Sequence, residues 1–411
     1  MPTQSSSYPH LAERFRQLDA FLLQHQALWR PRPFTHLHLD WEMIYPELAE
    51  WLRARSLEQA DAAHNQPAYL DEAPAPFAEL AEQAIALSYL GGLPISPTPS
   101  DSTRQSVDVP GRKWRQIQAF SSALAFSERP LHWLDWCAGK GHLGRQLANR
   151  GGSLTCLEWD PALVAAGNRL SKRLGIDVKH CQQDVMHEGA TAQVGPLVTP
   201  VALHACGDLH VRLIDLCIAQ RCRQLAIAPC CYNRIQADRY QPLSKLAAAS
   251  SLELSREDLG LPLSETVTAG ARERRQRDQS MAWRLGFDLL QRELRVKDEY
   301  LPTPSLPSGW LKKNFEHYCR DLAALKQLPE PPSLDWHALE QRGWQRLAEV
   351  RNLELLRGLF RRPLELWLLL DRALRLAENG YEVRLGTFCP PVLTPRNLML
   401  IAELDDQSAS I

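Results

Sequence analysis

Along Leu131-His-Trp-Leu-Asp-Trp-Cys-Ala-Gly-Lys-Gly-His-Leu-Gly-Arg-Gln-Leu147 an apolar stretch ending in Asp135 gives way to a turn with Gly139, Gly141 and Gly144, then to a helical pattern that Gly151-Gly152 stops. That order predicts a buried strand, a tight turn and a helix: the opening βα unit of a nucleotide-binding α/β domain. A second unit follows. Residues 153–159 read as a strand ending in Glu158, Asp160-Pro161 as an N-cap with proline at the first helical position, and Leu163, Val164 and Leu170 as one helix face running up to Gly175. Residues 176–183 predict a third strand ending at Asp184-Val185, residues 197–204 a fourth, and residues 224–229 a fifth. A helix capped by Asp208 and reaching about Gln220 separates the last two.

The closing elements come late. A long amphipathic helix over about 352–378 stops at Gly380, and residues 381–388 and 397–402 pair as an antiparallel hairpin. Ahead of the core, Leu11, Phe15, Leu18, Phe21 and Leu22 line one helix face, and Leu48, Leu52 and Leu57 line a second. Residues 94–103 are rich in Pro, Ser, Thr and Asp and read as a domain boundary, followed by a basic helix over 111–120. Proline-rich breaks at 301–307 and 329–332 punctuate a mostly helical insertion. Four segments are expected: a helical region with its linker (1–108), the first part of the core (109–235), the insertion (236–350) and the closing helix and hairpin (351–411).

Composition changes this picture in two places. The 411-residue chain has a formal net charge of −1, which gives no global sign of nucleic-acid binding and argues against a broad electrostatic footprint, yet the charge is unevenly spread. Residues 1–110 carry 7 Lys/Arg against 14 Asp/Glu, whereas residues 111–235 carry 15 against 9, so the core is basic behind an acidic N-terminal region. Ten cysteines are present, six of them in or at the ends of predicted strands. The first seven residues lack the charged head and apolar stretch of a cleavable signal, and the longest apolar run, 366–370, is far too short to span a bilayer. A cytoplasmic protein with reduced thiols and no membrane span is expected.

The glycine spacing fits a dinucleotide site and a class I S-adenosylmethionine (SAM) methyltransferase equally well. Asp135 separates them, because a carboxylate ahead of the loop repels a pyrophosphate but suits the amino group and sulfonium of SAM. The terminal hairpin agrees, giving an α/β fold class: a Rossmann-like class I methyltransferase sheet with a helical N-terminal region and a helical insertion. Cys137, Ala138 and the three turn glycines then line the cofactor, and Glu158 grips a ribose diol. Trp159 is placed to cover the adenine, or to pack against the sheet. Asp184, with Val185, either addresses the adenine amino group or caps a turn. NAD-dependent oxidation is disfavoured by Asp135 and the hairpin.

Ligands in such sheets sit beyond the carboxyl ends of the strands. There the chain gathers Cys137, His204-Ala-Cys206-Gly207-Asp208 and Pro229-Cys230-Cys231-Tyr232-Asn233. With Asp135-Trp-Cys-Ala-Gly-Lys-Gly-His142, these motifs resemble a methyltransferase domain family with a Cys-Gly motif after strand four and a Cys-Cys motif after strand five. That family includes eukaryotic tRNA 2′-O-methyltransferases and the vertebrate protein named for its glutathione S-transferase C-terminal domain. The latter is the more alike, through Pro-Cys-Cys-Tyr and the tail Phe388-Cys-Pro-Pro-Val-Leu-Thr-Pro-Arg-Asn397. The resemblance covers about residues 109–235 and 352–403. The tRNA enzymes carry a second His after the Cys-Cys pair, and here Tyr232-Asn233 stand in that place.

His204 is the candidate base by its ordinary pKa, with a strand-end structural role or a place lining the methionine part of SAM as alternatives. Tyr232 and Asn233 occupy the acceptor side. Cys230 and Cys231 also face the substrate, with packing preferred to nucleophilic catalysis. A zinc site from His204, Cys206, Cys230 and Cys231 is conceivable by ligand type. It is set aside because adjacent cysteines in an extended strand point to opposite sides and no paired Cys-x-x-Cys occurs, so no metal is expected. Arg112, Lys113 and Arg115 are expected to meet phosphates, Trp114 to stack on an unpaired base, and Arg272, Arg274, Arg275 and Arg277 to add charge or form a solvated helix face. The expected activity is methyl transfer from SAM, with RNA the preferred acceptor; oligomeric state is left open. A small-molecule or protein acceptor, and a SAM-binding regulatory module without transfer activity, are the rivals.

Overall fold

The computed structural model describes residues 7–70, 72–96, 106, 108–264 and 271–405. Most of the expected linker at 94–103 lies outside them. Seven strands form one sheet: β1 (His132–Trp136), β2 (Ser153–Glu158), β3 (Lys179–Gln182), β4 (Val198–Ala202), β5 (Gln224–Ile227), β6 (Tyr381–Thr387) and β7 (Leu398–Leu404). Their order is β3-β2-β1-β4-β5-β7-β6. The first five run parallel, and β7 pairs antiparallel with both β5 and β6. This is the Rossmann-like methyltransferase sheet, with its switch point between β1 and β4.

Parallel strands buried on both faces need nearly continuous apolar sequence, and β5 is buried along its whole length. On one face the helix Gly111–Ala123 lays Trp114, Ile117 and Phe120 against Trp133, Leu154, Val201 and Met399. Trp114 is therefore core, not a stacking platform for a base. The helix Arg361–Ala377 buries Leu364, Trp367 and Leu368 and adds a polar cluster to its packing. Arg372, 1% exposed, donates from Nε to His210 Nε2 (2.7 Å), from Nη1 to Tyr240 Oη (3.0 Å) and from Nη1 to the Leu368 carbonyl (2.7 Å). Asp371 accepts from Tyr240 Oη (2.6 Å) and from the backbone N–H groups of Leu243 and Ser244 (2.9 and 2.7 Å).

Several boundaries differ from those expected. The single helix over 352–378 is two helices, Trp336–Gly358 and Arg361–Ala377. Pro363 lacks an N–H and its ring clashes with the carbonyl four residues earlier, so a helix cannot run through 359–363. Between β3 and β4 there is no α-helix, only a 3-10 segment at Glu188–Gln193. Asp208 does not cap its helix. Gly207 holds the N-cap position, and Asp208 Oδ2 accepts from Gln236 N at 2.8 Å.

The chain divides into two compact units: Met1–Leu23, Leu87–Leu263 and Pro363–Ile411 in one, Gln24–Ala86 and Ser264–Arg362 in the other. The expected segments at 1–108 and 236–350 are each split by this division, because burial does not follow chain order. In the sheet unit, the Phe15 ring packs tilted against Trp367 at 5.0 Å and Asp19 accepts the Trp367 indole N–H at 2.8 Å. Leu93 N donates to Thr387 O at 2.9 Å and Thr387 N to Gly91 O at 3.0 Å, tying residues 91–93 to β6. In the helical unit, Trp336–Gly358 packs against Ala271–Arg295 and buries Leu347 and Val350 with Ala282 and Leu285. Arg53 bridges Glu42 and Glu349 there, and Asn352 donates to the carbonyls of Arg55 and Ser56. Among the described residues no helix is long and apolar enough to cross a membrane.

Arg372→Leu removes three buried hydrogen bonds and the guanidinium that lies over Tyr232 and Tyr240. It is expected to destabilise the sheet unit by about 2–5 kcal/mol, measured as a lower urea midpoint.

Candidate active site

The site is built on the turn between β1 and the helix His142–Ala148. Cys137, Gly139 and Gly141 all have positive φ, at 59°, 58° and 70°. For a cysteine that conformation is strained, which is common where a strand hands over to a ligand-binding turn. Gly141 is also tightly enclosed, since a Cβ there would lie 2.6 Å from His180 Cε1. Gly144 serves packing: a Cβ would come within 2.7 Å of Cys156 Sγ and 3.1 Å of Asp135 Oδ2. That close approach lets Gly144 N donate to Asp135 Oδ2 at 2.8 Å. Asp135 is 2% exposed, and burial pushes its carboxyl up to about 7 against the opposing pull of the Gly144 N–H and Arg145.

Asp135 forms part of a pocket wall with Lys113, Ile117, Cys137, Ala138, Gly139, His142, Leu143, Leu203 and His204. A carboxylate set among apolar side chains, with an ammonium at Lys113, fits a ligand that has an apolar thioether-like chain, a cation and a carboxylate. SAM has all three. Glu158 closes the second strand, 7% exposed, with Oε2 accepting Gly139 N (2.8 Å) and Oε1 accepting Asp160 N (3.1 Å). Each oxygen keeps a second lone pair for a ribose hydroxyl. Asp160 accepts Ala162 N at 2.8 Å and Pro161 follows it, as expected from the sequence. Trp159 is 71% exposed, so sheet packing is not its role. Asp184 accepts Met186 N at 2.9 Å in a turn, while Val185 is buried.

The phosphate-contact residues separate. Arg112 is tied down, donating from Nε to the Leu393 carbonyl (2.7 Å) and from Nη2 to the Val392 carbonyl (3.1 Å). Lys113 is exposed and lines the pocket rather than merely preceding the strand, and Arg115 is exposed. A cleft that sequence reading missed joins Lys140 of the turn to Arg169 and Arg173, with Asp108 paired to Arg173 at 2.9 Å. Its signal was the i, i+4 spacing of the two arginines on the helix Pro161–Leu174. In the helical unit, Arg272, Arg274 and Arg275 are exposed, and Arg277 lies 3.6 Å from Asp278.

Beyond β4 and β5 two loops are fastened together. At Gly207, φ is 55° and a Cβ would sit 1.8 Å from Arg234 O, so no other residue fits. Asp208 N donates to that same carbonyl at 3.1 Å. Beneath the loops His210, fully buried and held neutral by burial and by Arg372, meets the Ala205 carbonyl through Nδ1 at 3.0 Å. Tyr232 is 0% exposed, edge-on to His210 at 6.0 Å and under the Arg372 guanidinium at 4.9 Å. It is a core residue, which corrects its expected place on the acceptor side. Asn233 is half-buried, and its Oδ1 has no hydrogen-bond partner among the described residues.

His204 stands exposed at the pocket rim, yet surrounding protein and then Lys113 hold its imidazole down to about 4. At neutral pH it is therefore uncharged, with its ring free to accept a hydrogen bond. The thiols also depart from expectation. Cys206, Cys230 and Cys231 are half-buried, and their sulfurs all lie within 4.8 Å of one another, with Cys206 and Cys230 at 3.2 Å. Cys230 and Cys231 lie past the end of β5, where strand alternation no longer turns neighbours to opposite sides. Hydrogen bonds from Cys206 and then Cys230 hold the Cys231 thiol well below its ordinary pKa, and the same sharing pushes Cys230 up. Burial, reinforced by Glu158 and Asp135, pushes Cys137 up to about 12.

Fold, turn and paired carboxylates define a Rossmann-like, SAM-dependent methyltransferase domain. Residues 112–238 match a family model described as a methyltransferase domain, and the chain carries that enzyme domain there. The glutathione S-transferase C-terminal domain-containing protein of Xenopus laevis is 30% identical over 148 residues, 35% of this chain and 23% of that protein. Its Homo sapiens counterpart is 28% identical over 148 residues, 35% and 22% of the two chains. The chain thus spans about a quarter of the length of these curated relatives. Among solved structures, Pyrococcus abyssi tRNA (uracil-54, C5)-methyltransferase in complex with S-adenosyl-L-homocysteine overlaps with a TM-score of 0.23 at 18% identity, covering 28% of each chain. Geranyl diphosphate C-methyltransferase from Streptomyces coelicolor overlaps at 0.24 and 16%, covering 38% of this chain and 65% of that one. Overlaps so slight do not bear on the acceptor.

Two outcomes follow from this geometry. With its carboxyl raised from 3.8 to about 7, Asp135 stays protonated in the folded chain while the unfolded chain ionises. Its contribution to stability therefore falls as pH rises from about 4 to about 7, and Asp135→Asn should abolish that loss in urea titrations. SAM affinity of the parent chain should rise through the same upper range, because the ionised form attracts a cation, and the Asn variant should bind weakly at every pH. Gly207→Ala should displace the loop carrying Cys230 to Asn233, cost about 1–3 kcal/mol and abolish transfer, read by urea unfolding and labelled-methyl incorporation.

Proposed function

We propose that this chain transfers the methyl group of SAM to RNA. The observation that supports it best is one pocket with Asp135 in its wall and exposed Lys113 at its edge, with Arg115 exposed two residues on in the same helix. SAM supplies a methyl carbon already activated by the sulfonium, so the protein's work is to hold the acceptor in line and to exclude competing geometry. Asp135 and Glu158 hold the cofactor. Neutral His204 orients the acceptor or the methionine end by hydrogen bonding, and Asn233 offers its buried Oδ1 to a donor on the acceptor side. The cleft at Lys140, Arg169 and Arg173 adds cations next to the glycine turn, where a phosphate backbone can lie. All ten cysteines are free, which fits a reducing compartment and supports a cytoplasmic location.

The test is incubation of the full chain with labelled SAM and fractionated cell extract. RNase-sensitive label is the expected result; label sensitive to protease, or carried by a small molecule, would overturn RNA as the acceptor. RNA binding should weaken with salt at a log–log slope near −0.7 per phosphate contact for a single strand. Replacing Lys113 and Arg115 with Ala should flatten that slope by roughly 1.4 if each makes one contact. Lys113→Ala should also weaken SAM binding, whereas Arg115→Ala should not. His204→Ala and Asn233→Ala should lower turnover more than SAM affinity.

A further inference from the structure

We infer that Cys206, Cys230 and Cys231 form a zinc site with an open fourth position at the rim of the sheet. The three sulfurs lie within 4.8 Å of one another and come from two loops beyond β4 and β5. Zinc–sulfur bonds of about 2.3 Å at tetrahedral angles place sulfurs ~3.8 Å apart. The observed spacing brackets that value, with the Cys206–Cys230 pair at 3.2 Å needing to open slightly.

The ligand set is assembled without help from the sulfurs. Gly207 lies flat against Arg234 O, Asp208 N donates to the same carbonyl, and Gln236 N donates to Asp208 Oδ2. These contacts fasten the loops just after the thiols, and Ala228 N donating to the Ala202 carbonyl at 2.9 Å joins them just before, so a metal meets a prepared site. All three donors are soft sulfur with no carboxylate among them, which selects zinc over magnesium or calcium. Three thiolates and one Zn²⁺ leave a net charge of −1, and the fields of Arg396 and Arg234 at Cys231 offset it. Half-burial of all three residues leaves the fourth position facing outward, as in zinc sites that keep a place for water or substrate. The site stands whether or not the acceptor is RNA.

The full chain should be purified with its thiols reduced and no chelator present, and its metals measured by mass spectrometry. About one zinc per chain is expected. After removal of the metal, Co²⁺ should give tetrahedral absorption with thiolate-to-metal charge transfer. Cys206→Ser and Cys231→Ser should each weaken Zn²⁺ binding tenfold or more, roughly the lower limit for disturbing such sites, while Cys181→Ser leaves it unchanged. Retained SAM binding shows that a variant is folded. Should the variants fail to fold, alkylation of the parent chain replaces them: Zn²⁺ should protect Cys206, Cys230 and Cys231 but not Cys181. Absence of zinc uptake, a copper-loaded chain, a cobalt spectrum without thiolate bands, or thiols alkylated equally with and without Zn²⁺ would each overturn the site.

Discussion

A carboxylate with no access to water is the constraint around which the sheet unit is arranged. Asp135 sits near the end of β1, 2% exposed, and its shortest hydrogen bond comes from Gly144 N in the following helix, with the Cys156 thiol at 4.0 Å. Closing that bond forces the turn through three left-handed residues and brings the helix so close that position 144 has no room for a side chain. The same closure leaves Glu158 holding Gly139 N, so the first two strand ends share one turn. An ionised Asp135 is costly in this setting, and a bound cation relieves the cost. Stability of the empty site and affinity for the cofactor are therefore opposed through one atom.

The rim depends on a second buried polar group, farther along the chain. Arg372 reaches His210, whose ring meets the Ala205 carbonyl just before Cys206, and its guanidinium lies over Tyr232 just after Cys231. Both chemistry-bearing loops thus rest on one guanidinium. His210 must stay neutral to accept from Arg372, which its burial ensures. The Tyr232-Asn233 pair divides its work accordingly, with the ring in the core and the amide near the surface.

How much of this was legible in the residues differs from place to place. The succession of strands along the chain, the glycine turn, the Asp160 cap and the terminal hairpin all followed from local pattern. They depend on apolar periodicity and on backbone preferences that act within a few residues. The break before Pro363 was equally local and readable, but the apolar run on both sides of it obscured it. The contacts of Tyr232 and Arg112 and the surroundings of His204 were not readable. Each is an ordinary polar side chain at a strand or helix end, and its partner lies far away in sequence: Arg372, the carbonyls of Val392 and Leu393, and Lys113.

The sequence by itself determined the order of elements, the nucleotide-binding turn and the pair of acidic strand ends, because strands, turns and caps obey short-range sterics and hydrogen bonding. Only the tertiary structure decided which segments share a core: residues 24–86 join 264–362, while Phe15 and Asp19 join the helix carrying Trp367. It also decided that three thiols from two loops converge. Strand alternation argued against that gathering, and it fails there because Cys230 and Cys231 lie beyond the last paired residue of β5. Convergence of distant side chains depends on how loops are fastened in space, and no local pattern encodes that distance.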